Sequence, residues 1–227
     1  MTRRHKDGHP ESPLDVEIWI DIACPWCLLG RKRWYDALAQ VQHPSGVRTA
    51  WRSFELRPRH PGGQSTRLVE IMHDEWGMST AEISAVMERI RSEGAAAGVI
   101  LHPEAVRPTN TFDAHRLYHL AVDEGMGEQL LDQLFSAYHA DALDLSDRGV
   151  LVGLAARTGI AEPVAEQALR SGRYTGEVRT DERRAIERGV TAVPSYRIGT
   201  GPTVSGALPV QDLVRLLQAG LGRDEPR

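Results

Sequence analysis

Cys24 and Cys27 are the only two cysteines in 227 residues, and they stand in the run Cys24-Pro25-Trp26-Cys27. Thiols this close can be joined and reopened by exchange, so the chemistry they offer is two-electron transfer between thiols and disulfides. The segment Val16-Glu17-Ile18-Trp19-Ile20-Asp21-Ile22 just before them is β-rich and alternating, and reads as a strand. Pro25 suits the first position of a helix, where a missing N–H costs nothing. A cysteine at such a junction meets unpaired backbone N–H groups and the positive end of the helix dipole. Both favour thiolate, the attacking species. Cys24 is therefore expected to be the nucleophile. Cys27 shares an inward face with Gly30, Trp34, Leu38 and Val41 at helical spacing, and is expected to be the shielded, resolving thiol. Pro25 and Trp26, between the sulfurs, are expected to meet substrate, with Trp26 covering the pair.

Two plainer readings compete with this one. A Cys-x-x-Cys is half of a zinc site, but the chain has no second cysteine pair. His115 and His119, four apart on an expected helix, have ligand spacing, yet such pairs are more often surface or core, and no metal is expected. Two buried structural thiols are the other reading. The strand–Cys-Pro-x-Cys–helix context favours redox chemistry over both. A second feature is Thr191-Ala192-Val193-Pro194, which runs directly into the strand candidate Ser195–Ile198. Proline there either simply opens the strand or forms a cis bond. The cis form would turn the Val193 backbone groups outward, toward an extended substrate chain.

The elements that must hold these residues fall into three blocks. A strand, the Cys24 helix and a second strand from Val47 to Leu56 give β–α–β, with Pro44-Ser45-Gly46 stopping the helix. From about Gln64 to Arg188 the pattern is helix after helix. Ser79-Thr80-Ala81-Glu82 is a capping box followed by Ile83, Val86, Met87 and Ile90 on one face. Further helices are expected from Thr111 to near Gly125 and over Glu128–Ala140, Ser146–Arg157 and Pro163–Ser171. The charged stretch Thr175–Arg188 is expected to be a mostly exposed helix. Strands return at Ser195–Ile198 and Thr203–Ser205 around a Gly-Thr-Gly-Pro turn. Pro209 then opens a last helix with Gly220 at its end.

With 41% hydrophobic and 26% charged residues, the composition is that of an ordinary globular protein. A formal net charge of −4 offers no basic field for nucleic acid or anionic lipid. No run is long and apolar enough to span a membrane. The polar start, Met1 to Pro13, lacks the apolar core of a secretory signal, so the chain is expected to be cytoplasmic.

The chain resembles the cytosolic FrnE-type branch of the DsbA-like thioredoxin superfamily. The resemblance is carried by Asp21-Ile22-Ala23-Cys24-Pro25-Trp26-Cys27, Ser53-Phe54-Glu55-Leu56 with Pro58, Asn110-Thr111-Phe112-Asp113-Ala114-His115-Arg116, Gly189 to Pro194, and Val204-Ser205-Gly206-Ala207. It implies an α/β thioredoxin fold with a large all-helical insertion. The thioredoxin-like part would comprise residues 14–62 and 189–222, the insertion 63–188, and disordered tails 1–13 and 223–227. It also implies Cys24 and Cys27 as the redox pair and Pro194 as a cis-proline opposite them, and it places Asn110–Arg116 in the insertion, where Asn110 and His115 would either contact substrate or serve a structural role. Asp21 could relay protons near the buried thiol, although capping or a core hydrogen bond is the plainer role.

The function expected is oxidation, reduction or isomerisation of protein disulfides. The partners are protein thiol or disulfide substrates and a cellular thiol reductant, with no cofactor beyond glutathione as a co-substrate. An apolar surface near Trp26 could recruit unfolded chains or a second copy of this one as a homodimer. The alternative is a glutathione-dependent transferase or isomerase of the kappa or 2-hydroxychromene-2-carboxylate isomerase type, which is similar in fold. A redox-sensing or holdase-like binding protein is the third.

Overall fold

The computed structural model describes residues 13–42, 46–61, 63 and 66–224. Most of both expected tails, and the expected Pro44-Ser45 helix stop, lie outside them. The core of the fold is a four-stranded sheet in the order β2-β1-β3-β4. β1 (Leu14–Ile20) lies parallel to β2 (Val47–Ser53), and β3 (Ser195–Ile198) runs antiparallel to both β1 and β4 (Thr203–Ser205). The expected second strand ends three residues early: Phe54 makes a last bond to the Ile20 carbonyl at 3.0 Å, and the Leu56 N–H then turns to the Asp21 carboxylate at 2.7 Å.

Helix α1 (Pro25–Leu38) joins β1 to β2, and helix α9 (Val210–Asp224) follows β4. These two helices pack on one face of the sheet. Trp34 of α1 meets Tyr196 of β3 at 6.0 Å between ring centroids. Gly220 does not end α9 but lies within it. A Cβ there would come within 2.5 Å of Ile198 Cγ2 and 3.2 Å of Leu14 Cδ2, so glycine lets the helix settle onto the sheet.

Between β2 and β3 come α2 (Leu68–Asp74), α3 (Thr80–Ala96), α4 (Phe112–Asp123), α5 (Gly127–His139), α6 (Arg148–Arg157), α7 (Glu162–Ser171) and α8 (Thr175–Glu187). Ser79 caps α3 through the expected box, accepting from the Glu82 N–H while Glu82 reaches back to the Ser79 N–H. α2 had no such signature in the sequence. There Glu70 alone does the capping, accepting from the Arg67 N–H at 3.0 Å and from Arg67 Nε at 2.9 Å. One buried cluster runs from β1, through Cys24 and Cys27, into α4, α5 and α6, so strands and helices share a continuous core.

α8 is mostly exposed, as expected, but it carries one buried stripe. Glu177 and Arg183 are exposed, but Val178, Asp181 and Ala185 are buried. The helix lies over the far face of the sheet, and Asp181 anchors it there. Its carboxylate accepts from the Ser53 N–H at 3.0 Å and meets Arg52 at 3.3 Å and His119 at 3.1 Å. Its carbonyl accepts from Trp19 Nε1 at 3.1 Å. The charge was legible, but its partners lie on β1, β2 and α4, so nothing local marked it as buried. Substituting Asp181→Ala leaves the buried Ser53 N–H without an acceptor, and is expected to destabilise the fold by about 2–3 kcal/mol in denaturant titration. A change below about 0.5 kcal/mol, the range of ordinary surface substitutions, would refute the anchoring role.

Candidate active site at the start of helix α1

Cys24 is the residue before α1, with φ −93° and ψ 115°, and Pro25 takes the first helical turn as expected. Its carbonyl accepts from the Cys27 N–H at 3.0 Å, which folds the motif into a turn. Both thiols are free, with Cys24 5% and Cys27 0% exposed. This difference separates the two sulfurs chemically. Cys24 opens onto a pocket, while Cys27 is enclosed by protein. Burial pushes the Cys27 thiol well up from its ordinary value, helped by the hydrogen bond it makes to Cys24.

The loop before the pair is held by Asp21. Its Oδ1 accepts from the Ala23 N–H at 3.0 Å, and its Oδ2 from the Leu56 N–H at 2.7 Å. From the other side, His139 of α5 meets the Ile22 carbonyl through Nε2 at 2.9 Å. His139 is stacked against Phe135 and lies edge-on to Tyr138. Burial brings its pKa down to about 4 from an ordinary 6.5.

Opposite the cysteines, the Val193–Pro194 bond is cis. The Val193 carbonyl accepts from the Cys24 thiol at 3.8 Å, so it faces the sulfur, and the residue is 8% exposed. The Pro194 carbonyl accepts from the Gly206 N–H at 2.7 Å, tying the approach of β3 to the end of β4. Gly30 is the reason α1 can lie this close. A Cβ there would stand 2.5 Å from Tyr196 Oη and 2.8 Å from Pro194 Cγ. Tyr196, read from the sequence only as a strand residue, belongs to the site. Burial, then the nearby cysteine sulfurs, hold its phenol in the neutral form.

In front of Cys24 is a cavity of about 230 Å³ lined by Pro25 and Trp26, by Leu56 and Arg57, and by Met72, Val86, Met87 and Ile90 of α2 and α3. Trp26 is half-buried, with the Arg89 guanidinium 4.9 Å from its ring centroid. Leu56 and Trp76, 48% and 52% exposed, form part of the mouth. The apolar stripe of α3 was legible in the sequence, but not the direction it faces.

Two expected substrate contacts stand elsewhere. Asn110 donates to the His60 carbonyl at 3.1 Å and accepts from the Phe112 N–H at 3.0 Å, shaping the entry to α4. Pro108 and Thr109 line the pocket in its stead. His115 is 1% exposed and lies beside Asp21, outside the lining. It also diverges from His119, which turns to Asp181, so their four-residue spacing does not converge on a common point. Among the described residues no group of three or more His, Cys, Asp or Glu could hold a metal ion.

Two measurements check this geometry. Under native conditions iodoacetamide is expected to label Cys24 and leave Cys27 intact until the protein is unfolded, as read by peptide masses. Equal labelling of both would contradict the enclosure of Cys27. The second concerns pH. The unfolded chain binds a proton at His139 below pH 6.5 and the folded one only near 4, so stability is full above 6.5 and falls as pH drops between those values. The shift is worth about 3 kcal/mol. His139→Gln should flatten that slope in urea titrations at several pH values, and an unchanged slope would assign it to other groups.

The sequence profile of the DSBA-like thioredoxin domain matches residues 15–218. No curated protein matches the chain. Among solved structures, a protein described as a probable DsbA oxidoreductase from Streptomyces coelicolor is 35% identical, with a TM-score of 0.90 over 94% of this chain and 92% of that one. The cytosolic disulfide reductase DsbM from Pseudomonas aeruginosa shares the fold at 16% identity, with a TM-score of 0.60 over 92% of this chain and all of that one. A 2-hydroxychromene-2-carboxylate isomerase shares it at 17% identity, with a TM-score of 0.67 over 92% and 95% of the two chains. With a four-stranded sheet interrupted by helices and paired thiols at the start of α1, the chain belongs to the DsbA-like thioredoxin family of oxidoreductases acting on thiol and disulfide groups.

Proposed function

We propose that the chain is a FrnE-type, cytoplasmic oxidoreductase or isomerase of protein disulfides, working through a Cys24–Cys27 dithiol and disulfide. The observation that carries this reading is the unequal burial of the sulfurs: Cys24 lines the pocket and Cys27 is fully enclosed. Such a pair forms a mixed disulfide at Cys24 and resolves it with Cys27. Glutathione or another cellular thiol would reset the pair as a co-substrate.

The pocket supports a polypeptide substrate. Its volume, about 230 Å³, is below the roughly 300–1,000 Å³ of sites for drug-sized ligands. It suits one bulky apolar side chain beside the reacting sulfur. Met72 and Met87 give it an adaptable wall, which favours varied partners over one rigid ligand. Arg57 is the one cation among the described lining residues. That is a poor match for glutathione, with its two carboxylates and an amine. The fold shared with a 2-hydroxychromene-2-carboxylate isomerase keeps the glutathione-dependent alternative in play.

Titration across glutathione redox buffers, with free thiols trapped by alkylation and weighed, separates the two. The proposal expects a reversible two-electron transition lost in both Cys24→Ser and Cys27→Ser. Singly glutathionylated Cys24, with turnover of an electrophile unaffected by Cys27→Ser, would favour the transferase or isomerase. Disulfide peptides with phenylalanine beside cysteine are expected to react faster than those with serine, and Met87→Lys should reduce that preference roughly tenfold, or about 1.4 kcal/mol.

A further inference from the structure

The cysteines follow the end of β1; beside its start lies a second cavity, which shares no lining residue with the first. Alternation along the strands turns Asp15 and Glu17 of β1, Arg48 and Arg52 of β2, and Arg197 of β3 to the face of the sheet that carries α8. The C-terminal end of α8 adds Arg184 and Arg188. Ala50, opposite Glu17 in the β1–β2 register, is too small to fill the space between them. What stays open is a cavity of about 660 Å³, within the range of roughly 300–1,000 Å³ for small-molecule sites.

Charge sets this cavity apart. Five arginines line it against two carboxylates, an excess of three positive charges in a chain whose formal net charge is −4. Three guanidinium groups from three elements converge on Glu17: Arg52 at 2.9 Å, Arg184 at 3.1 Å and Arg197 at 3.8 Å. Arg52 is shared with Asp181 at 3.3 Å, and with that carboxylate counted two positive charges still remain. Arg48 pairs with Asp15. Arg188 pairs with no carboxylate among the described residues. Like charges gathered this closely repel one another, and a network serving packing alone gains nothing from the surplus. α8 does not need it, since Asp181 and the buried Val178 and Ala185 already hold that helix to the sheet.

We propose that this cavity is a binding site for a small anion carrying two or more phosphate groups. Glu17 marks a point where one anionic group is met by three guanidinium groups at once. The ligand occupies the open space beside it and takes up the charge that Glu17 and Asp15 leave over. Guanidinium suits the task, because it stays charged and presents its N–H donors as a fork that matches phosphate oxygens. Tetrahedral phosphate can be met from several directions together, as the arginines of β2, β3 and α8 approach here; a planar carboxylate cannot. The segment before Pro13 is no substitute for such a ligand. Residues 1–12 carry Arg3, Arg4 and Lys6 against Asp7 and Glu11, the same sign of charge as the cavity. The inference is independent of the dithiol reading, because the two sites have separate linings.

The test is calorimetric titration of the full chain with inorganic triphosphate. Binding should weaken more than about tenfold as salt rises from about 50 to 500 mM, the range over which exposed charges become screened. Arg188→Ala and Arg197→Ala should each weaken it about tenfold, the scale of one lost charge-assisted hydrogen bond. Glu17→Gln should strengthen it about tenfold, since three guanidinium groups lose their internal partner. That gain is one a merely structural ion network would not give. Arg215→Ala on α9, which removes the same charge from an exposed position elsewhere, should leave affinity unchanged. Adenosine triphosphate binding more tightly than triphosphate would assign the site to a nucleotide, and equal or weaker binding to free polyphosphate. Alkylation of Cys24 should be the same in every variant. No binding of triphosphate at about 1 mM, the weak end of specific affinity, overturns the site, as does equal weakening in Arg215→Ala or unimproved binding in Glu17→Gln. Citrate binding as tightly as triphosphate overturns the assignment to phosphate. If Glu17→Gln fails to fold, the arginine variants decide the matter against the Arg215→Ala control.

Discussion

One carboxylate in an unfavourable place fixes the geometry of the cysteines. Asp21 is buried, and a buried charge is tolerated only when it is fully engaged. Its engagements are structural: the Ala23 N–H draws the loop into the turn that presents Cys24, and the Leu56 N–H pulls the chain after β2 over the same loop. Leu56 and Arg57 become pocket wall because that connection is pinned there. The start of α1, the end of β2 and the mouth of the pocket are thus coupled through a single side chain.

Around this joint the helices between β2 and β3 divide the work. α2 and α3 supply the apolar front of the pocket, including Met72 and Met87. α4, α5 and α8 close the rear, and they do so with polar anchors as well as apolar packing. Arg31 of α1 pairs with Glu128 of α5 at 2.6 Å, and Trp51 of β2 donates to the same carboxylate at 2.8 Å. Asp181 holds α8 to the end of β2. The anchors tie α5 to α1, which begins at the cysteines, and tie α5 and α8 to the neighbouring strand β2.

What could be read from the sequence was what local pattern encodes. The strand–cysteine–proline–helix junction, the Ser79 capping box and the hairpin of β3 and β4 all follow from neighbours within a few residues, and all are present. Cys24, Cys27 and Pro194 stand together. Pairings across the chain were hidden. Nothing near His115 reveals that its partner is Asp21, and nothing in the charged run of α8 sets Asp181 apart from Glu177. Tyr196 was visible as a strand residue, but its approach to the sulfurs depends on Gly30, which lies on a different element. Asn110 shows the opposite failure. Its side chain shapes a loop beside the site, and only the backbone it steers contributes Thr109 to the lining.

The order of the elements also governs how the site comes into being. Cys24 and the Val193 carbonyl that covers it are 169 residues apart in the chain. At a synthesis rate of about 5–20 residues per second, the pair leaves the ribosome on the order of 10–30 s before its lid does. During that interval β1 has β2 beside it but lacks β3, and both thiols lack Tyr196 and Val193. The nascent chain therefore carries its most reactive groups uncovered until its last two strands arrive. Only when the final hairpin docks on β1 does a pair of open thiols become one sulfur at the back of a pocket and one fully enclosed.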